Sequence, residues 1–206
     1  MSPNGRRQRS LASFDRQVVA VDTETTGLGQ NGRPPRPDGI VQIGYAWRNP
    51  RGKVVRWHAT CNPGESYLRG GRAMEALRVN GLRLDTILAA PPARAVAAEF
   101  RERLDAIEDE SGKTLELRAF NRSFDEPFLR SSPWSIPAER WGSCLMVAAQ
   151  NHLGLSRWPK LGYALSALGM PPPPGRSHTA EVDAHAALLV HEAISRSDLG
   201  RGRRGR

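Results

Sequence analysis

The sequence predicts an α/β domain with a mixed central sheet, antiparallel in its first three strands and flanked by helices. Two observations support this prediction. Three strand-like segments with turn-rich connections come first, and apolar residues at helical spacing dominate the chain beyond residue 120. With 206 residues, of which 39% are hydrophobic, the chain is long enough for one domain with a substantial core. No internal repeat or second-domain boundary is visible.

The strands are predicted from short apolar runs bounded by turn residues. Residues 18–21 are apolar and mostly β-branched, which is typical of a buried strand. Alternating apolar and aromatic residues predict a second strand at 40–47 and a third at 54–59. The turn cluster at 49–52 between them predicts a hairpin. A fourth strand is predicted at 114–120.

The helices are predicted from apolar residues that recur every three or four positions. A short helix is expected at 73–79, and a longer one follows Pro91 and Pro92. The proline run 171–174 predicts a stiff extended spacer, which ends one helix and places the next. Further helices are predicted near residues 124–130, 140–152, 161–168 and 180–195.

The net charge of +9 is concentrated at the two ends of the chain. Residues 1–10 and 196–206 carry +7 of it, so the body is close to neutral. We predict a disordered basic arm at 1–14, a globular domain at 15–196 and a disordered Arg/Gly-rich tail at 197–206. Two interpretations of the tail stay open: salt-sensitive attraction to phosphates, or a solubilising end without a specific partner.

Cysteine content and hydropathy bear on the cellular compartment. Cys61 and Cys144 make a disulfide framework unexpected and lack the spacing of a metal site. No apolar run approaches the length of a membrane span, and no apolar stretch follows the N-terminal arginines, as a secretory signal would require. We therefore expect a cytoplasmic protein without a membrane partner.

Asp22 and Glu24 are the first candidate site residues. They stand two positions apart at the end of the first predicted strand, so their carboxylates share one face of it. Two close, desolvated carboxylates repel each other, and a divalent cation such as magnesium or manganese relieves this repulsion. The alternative is a solvated surface pair, which is common at strand ends.

Three residues later in the chain can complete such a site. Asp125 follows the fourth strand, and Asp183 lies in the first turns of the last helix, although the helix dipole alone favours an acid at either place. His178 precedes Asp183 by five residues, so it must lie on the loop before the helix, with Thr179 as the N-cap, if both serve one site. A histidine on this loop is suited to deprotonating water, and His185 is the main alternative to His178 for this role.

Three motifs together resemble the DEDDh (DnaQ-like) 3′-to-5′ exonucleases, which include the epsilon proofreading subunit of bacterial DNA polymerase III. The resemblance covers residues 17–194. The related DEDDy class has a tyrosine four positions before the last aspartate, where this chain has Thr179. The motifs are Asp22-Thr-Glu-Thr-Thr-Gly-Leu28, Asn121-Arg-Ser-Phe-Asp125 and His178-Thr-Ala-Glu-Val-Asp183.

The resemblance implies a ribonuclease H-like fold, two Mg²⁺ or Mn²⁺ ions and release of 5′-mononucleotides. His178 would be the general base on the attacking water. The metal ligands implied are Asp22, Glu24, Asp125 and Asp183.

The resemblance also implies contacts to the substrate. Thr25, Thr26 and Leu28 follow the first motif and would meet the terminal nucleotide, with Leu28 against its base. Asn121 is the polar residue before the third carboxylate. Asn80 stands where family members often have histidine, so this chain departs from the family there.

The expected partner is the 3′ end of a nucleic acid, with DNA favoured. A proofreading subunit would have a DNA polymerase as a second partner. Two alternatives stay open. The first is trimming of RNA or of short oligoribonucleotides, since the motifs do not encode how a 2′-hydroxyl is sensed. The second is a non-catalytic nucleic-acid-binding module, against which the intact set of acids and His178 counts.

Overall fold

The computed structural model describes residues 16–28, 38–175 and 178–204. Four strands form one sheet in the order β3-β2-β1-β4. β1 pairs antiparallel with β2 and β2 with β3, whereas β4 is parallel to β1. The predicted mixed sheet with three antiparallel leading strands is therefore confirmed. The strands are β1 (Arg16–Thr25), β2 (Ile40–Arg48), β3 (Val54–Thr60) and β4 (Thr114–Arg118).

Helices cover both faces of this sheet. The longest ones, α3 and α7, pack on opposite faces, and α5 and α6 pack beside α7. The helices are α1 (Gly71–Asn80), α2 (Leu84–Ala89), α3 (Ala93–Ser111), α4 (Arg122–Arg130), α5 (Leu145–Leu153), α6 (Leu161–Ala167) and α7 (Ala180–Arg204).

The two faces of β1 differ in side-chain size. Val19 and Val21 point to the α3 face, where the core is built from large apolar and aromatic side chains such as Phe100. Ala20 belongs instead to the core under α7, together with its cross-strand partner Ala46. Small residues let the helix backbone approach the sheet closely. Because side chains alternate along a strand, residues 22 and 24 continue the α7 face.

Several boundaries differ from the sequence prediction. The helix expected at 140–152 begins only at Leu145, because Trp141 forms a bridge with Leu117 and Gly142 N–H donates to the Leu117 carbonyl, 2.9 Å away. This extended stretch runs beside β4. The short helix α2 was not expected from the sequence.

The C-terminal helix is longer than predicted. α7 continues to Arg204 rather than ending near residue 195, so it includes most of the segment 197–206 that was expected to be disordered. Extension of an existing helix needs no new nucleation, and arginine has a high helix propensity. The predicted arm at 1–14 lies outside the described residues. None of the described helices has an apolar stretch long enough to cross a bilayer.

Candidate active site

Three carboxylates from two distant segments meet at the end of β1. The ligand oxygens of Asp22, Glu24 and Asp183 lie within 4.8 Å of one another. Glu24 is buried, and the other two side chains are half-buried. A register shift in the β1–β2 pairing follows Glu24, as is common where a strand re-aims a side chain at a site. A compact set of oxygen ligands of this kind suits a hard divalent cation.

Close contact between the start of α7 and β2 brings Asp183 to this place. Gly44 pairs with Asp22 across the sheet, and a Cβ built on Gly44 would lie 2.4 Å from Glu181 N and 2.5 Å from the Ala180 carbonyl carbon. Only glycine therefore lets the helix backbone pass over this point. Gln42, the cross-strand partner of Glu24, accepts a hydrogen bond from Ala180 N–H at 2.9 Å.

Neither Gln42 nor Gly44 was identified from the sequence. The one available signal was a glycine inside an apolar strand, which often marks close approach of another backbone. A further contact holds the same helix turn on the sheet, because His58 Nδ1 of β3 lies 3.0 Å from Glu181 Oε2.

Asp125 lies beside the three-carboxylate cluster and is 3% exposed. β4 pairs with β1 only as far as Ala20, and beyond that point Thr23 donates to Asp125 Oδ1 from its N–H at 3.1 Å and from its hydroxyl at 2.8 Å. Asp125 is not within the mutual 4.8 Å distance of the other three. Burial raises the pKa of Asp22, and the charge of Asp125 nevertheless raises it further.

His178 lies on the loop before α7, as its spacing from Asp183 required. α7 begins after Thr179, whose carbonyl accepts hydrogen bonds from Val182 N–H at 2.9 Å and from Asp183 N–H at 3.0 Å. Burial raises the pKa of Asp183, whereas the side chain and the backbone N–H of His178 oppose this rise, so the histidine is next to that carboxylate. It is solvent-exposed, with a left-handed φ of 61°. A non-glycine residue in this conformation is uncommon and is often found at functional sites.

His185, the competing histidine, occupies a different environment. Its Nδ1 is buried and has no hydrogen-bond partner among the described residues. Burial and the nearby Arg56 guanidinium lower its pKa. A protonated His185 is thus disfavoured.

Burial and mutual repulsion dominate the electrostatics of the cluster. Burial, followed by the charges of Asp125, Glu24 and Asp183, holds the pKa of Asp22 well above its usual range. Burial, followed by the charges of Asp183 and Asp125, raises the pKa of Glu24 to about 7. Burial also raises the pKa values of Asp125 and Asp183. Full ionisation of this cluster at neutral pH therefore requires a compensating positive charge, which one or two divalent cations would provide.

The pKa of Glu24 predicts how a divalent cation affects stability. Because the pKa of Glu24 is raised in the folded state, the free energy of unfolding of the metal-free chain falls as pH rises from about 4.5 to about 7. A cation binds the ionised carboxylates, so the rise in Tm on adding Mg²⁺ or Mn²⁺ should be small near pH 5 and largest above pH 7. Thermal unfolding with metal and with chelator at several pH values measures this rise in Tm. Asp22→Asn should remove most of the metal effect, and a rise in Tm that is independent of pH would contradict the assignment.

Thr25 and Thr26, predicted to contact substrate, are buried at the end of β1 and at the start of the following turn. The Thr25 hydroxyl donates to the Gly27 carbonyl at 2.6 Å, and the Thr26 hydroxyl accepts from Gly39 N–H at 3.0 Å. Both side chains thus hold the turn in shape. Asn80 ties α1 to the same turn, because its Nδ2 donates to the Thr25 carbonyl at 3.3 Å.

Leu28 and Asn121, also predicted to contact substrate, are exposed. Leu28 is 72% exposed, which is unusual for a leucine beside a buried turn. Asn121 stands at the start of α4, and its Oδ1 accepts a hydrogen bond from the Ser123 hydroxyl at 2.8 Å. Substrate contacts by these residues and by Asn80, Thr25 and Thr26 stay predictions.

Comparison with known proteins gives structural matches alone. No family model matches the chain, and no curated protein matches it. The fold is similar to that of a 3′-exonuclease solved for its 3′-end-specific recognition of a histone mRNA stem-loop, with a TM-score of 0.68 and 16% identity over 88% of this chain and 65% of that one. It is also similar to the nuclease domain of 3′hExo, a DEDDh family member bound to rAMP, with a TM-score of 0.66 and 16% identity over 91% and 94% of the two chains.

A third similar structure is Escherichia coli exonuclease I in complex with a dT13 oligonucleotide, with a TM-score of 0.60 and 17% identity over 90% of this chain and 42% of that one. The chain likewise spans 64% of the length of cell-death related nuclease 4 and 61% of a full-length 3′-exonuclease. Identities this low show a shared fold. The described residues thus form a ribonuclease H-like domain of the kind found in these exonucleases.

Proposed function

We propose that this chain is a metal-dependent 3′-to-5′ exonuclease that releases 5′-mononucleotides from the 3′ end of DNA. The observation that carries the proposal is the meeting of Asp22, Glu24 and Asp183 within 4.8 Å, with His178 next to Asp183. The fold that the chain shares with exonucleases supports the proposal. Because one fold hosts many functions, the main argument comes from the site itself.

Each residue has a defined task in this proposal. Asp22, Glu24, Asp125 and Asp183 would hold two Mg²⁺ or Mn²⁺ ions, and such a pair of ions can stabilise both the attacking and the leaving oxygen of an in-line displacement. An imidazole nitrogen of His178 takes the proton from water as the water oxygen attacks phosphorus. The bond from phosphorus to the 3′ oxygen breaks, and this oxygen takes a proton from solvent to become the 3′-hydroxyl of the shortened strand.

RNA is the second candidate substrate. The structural matches include an exonuclease that recognises histone mRNA and a nuclease domain bound to rAMP, whereas exonuclease I was solved with a DNA oligonucleotide. Our preference for DNA comes from the resemblance to the proofreading subunit. A polymerase partner, a domain spanning 15–196 and a cytoplasmic location stay predictions from the sequence.

Product analysis on matched DNA and RNA oligonucleotides tests the proposal. With Mg²⁺ or Mn²⁺, a 5′-labelled strand should shorten stepwise from its 3′ end and release 5′-mononucleotides, and a chelator should stop the reaction. Faster shortening of RNA would make RNA the substrate. If neither polymer were shortened while salt-sensitive binding persisted, the chain would be a binding module instead.

A further inference from the structure

One long segment of the chain carries basic residues but no acid. No Asp or Glu lies between Glu139 and Glu181, a stretch that contains α5, α6 and the loop leading to His178. Arg157 and Lys160 lie in its middle and are exposed. Neither has an ion-pair partner among the described residues, in contrast to Arg140, which pairs with Glu108 at 2.8 Å. Uncompensated exposed cations of this kind attract phosphate groups.

Two exposed aromatic side chains lie close to these cations in the chain, one between them and one after them. Trp158 is 68% exposed and Tyr163 is 56% exposed, whereas the other described tryptophans are buried or half-buried. We call Arg157, Trp158, Lys160 and Tyr163 the aromatic–basic platform. Lys160 is the N-cap of α6 and Tyr163 lies in its first turn, so both are at the N-terminal end of this helix.

The backbone of the platform is anchored to the domain. Pro159, between Trp158 and Lys160, is buried, and Leu161 packs against the core under α7. Gly162, the residue before Tyr163, has no atom within 4 Å of the position that a Cβ would take. The exposed rings are thus presented by a fixed segment, and a ring held in this way loses little conformational entropy when it stacks against a ligand.

The core packing connects α6, which carries Tyr163 of the platform, to the helix that carries Asp183. Ala164 and Leu165 of α6 belong to one core cluster with Ala184, the residue after Asp183, and with Phe120, which precedes the segment carrying Asp125. α6 therefore packs against α7, the helix that supplies Asp183, and shares a core cluster with Phe120, which lies between β4 and α4. A strand whose 3′ end enters the cluster can extend across α6.

We propose that the aromatic–basic platform binds the single strand upstream of the 3′-terminal nucleotide, through base stacking on Trp158 and Tyr163 and phosphate contacts to Arg157 and Lys160. Exposed rings interleaved with unpaired cations are the combination by which proteins bind single strands without reading sequence. The inference rests on the proposed exonuclease function and adds to it a preference for longer single-stranded ends.

Kinetics on substrates of two lengths tests the platform. Trp158→Ala should raise KM for a single strand of about 12 nucleotides by about tenfold, since stacking of one base contributes on that order. kcat for this strand, and both constants for a dinucleotide, should stay within about twofold, because a dinucleotide is too short to reach beyond the site. Trp158→Phe should keep most of the parental KM, because it retains an aromatic face.

Binding measurements separate this inference from the proposed function. Fluorescence anisotropy of a labelled strand, with Ca²⁺ in place of Mg²⁺, should show the same tenfold loss for Trp158→Ala, and none for Leu88→Ala at an exposed apolar position on α2. Both Arg157 and Lys160 can be replaced with Gln. In this variant the slope of log Kd against the logarithm of the salt concentration should be smaller by about 1.4, because two phosphate contacts are lost.

The outcomes are distinguishable. If the parental chain shortens the long strand and Trp158→Ala has the parental KM and Kd, the platform is overturned and the exonuclease stands. If the parental chain shortens nothing, the exonuclease proposal fails and the anisotropy alone tests the platform. A tenfold loss of affinity in Trp158→Ala then supports the platform, and an unchanged Kd overturns it. An unchanged Kd would also mean that this surface serves another class of partner, such as a protein.

Discussion

Asp183→Asn is expected to lower the rate of 3′-nucleotide release by about a thousandfold or more. The substitution removes one of the three carboxylates that meet within 4.8 Å, and a bound cation contributes several kcal/mol to a phosphoryl-transfer transition state. Burial raises the pKa of Asp183, so its ionised form is disfavoured in the folded, metal-free chain. The Asn variant should therefore unfold at the parental Tm or above it in chelator at neutral pH, while losing part of the rise in Tm that metal produces.

Asp198→Asn provides the matched control for this experiment. Asp198 lies on the same helix and its side chain is 65% exposed, so the same substitution there should leave the rate within about twofold. Single-turnover assays on a labelled strand compare the two variants. A parental rate for Asp183→Asn would exclude the carboxylate cluster as the active site.

His178→Gln is expected to lower kcat by about 10²- to 10⁴-fold, the usual contribution of a general base. His178 is exposed on the loop before α7, so its replacement should not disturb the core. The rise in Tm with Mg²⁺ should persist, because the carboxylates remain. This combination, a low kcat with metal binding kept, separates a proton-transfer role from a structural one.

His185→Gln tests the competing histidine, which lies on α7. Nδ1 of His185 is buried without a partner among the described residues, and we assign it no part in the reaction. Its variant should keep kcat within about threefold. A large loss of kcat in the His185 variant, together with a parental kcat for His178→Gln, would reverse the assignment of the base.

The sequence predicted the parts of the site that depend on local spacing. Asp22 and Glu24 share a face because side chains alternate along a strand, and this is so wherever the strand lies. The position of His178 before α7 followed from helical geometry in the same way. The mixed sheet could also be predicted, because three strand-like runs with short connections leave few topologies.

The remaining features depend on contacts between distant segments. Nothing near Gln42 in the chain indicates that its side chain binds the first N–H of a helix 138 residues later. The bond from Thr23 to Asp125 likewise depends on where β4 ends. The hydrogen bonds of Thr25 to Gly27 and of Gly39 to Thr26 also could not be predicted from the sequence, and contact of these two threonines with substrate stays a prediction.

The docking of α7 over Gly44 has a consequence for the chain during its synthesis. Asp183 reaches Asp22 and Glu24 only when the start of α7 lies on β2, and the contact between Gln42 and Ala180 spans 138 residues. At roughly 5–20 residues per second, translation of that interval takes on the order of ten seconds. A nascent chain that has not yet emerged as far as α7 lacks the three-carboxylate cluster, so the candidate site is incomplete during that interval. The cluster can form only after α7 has left the ribosome and packed on the sheet.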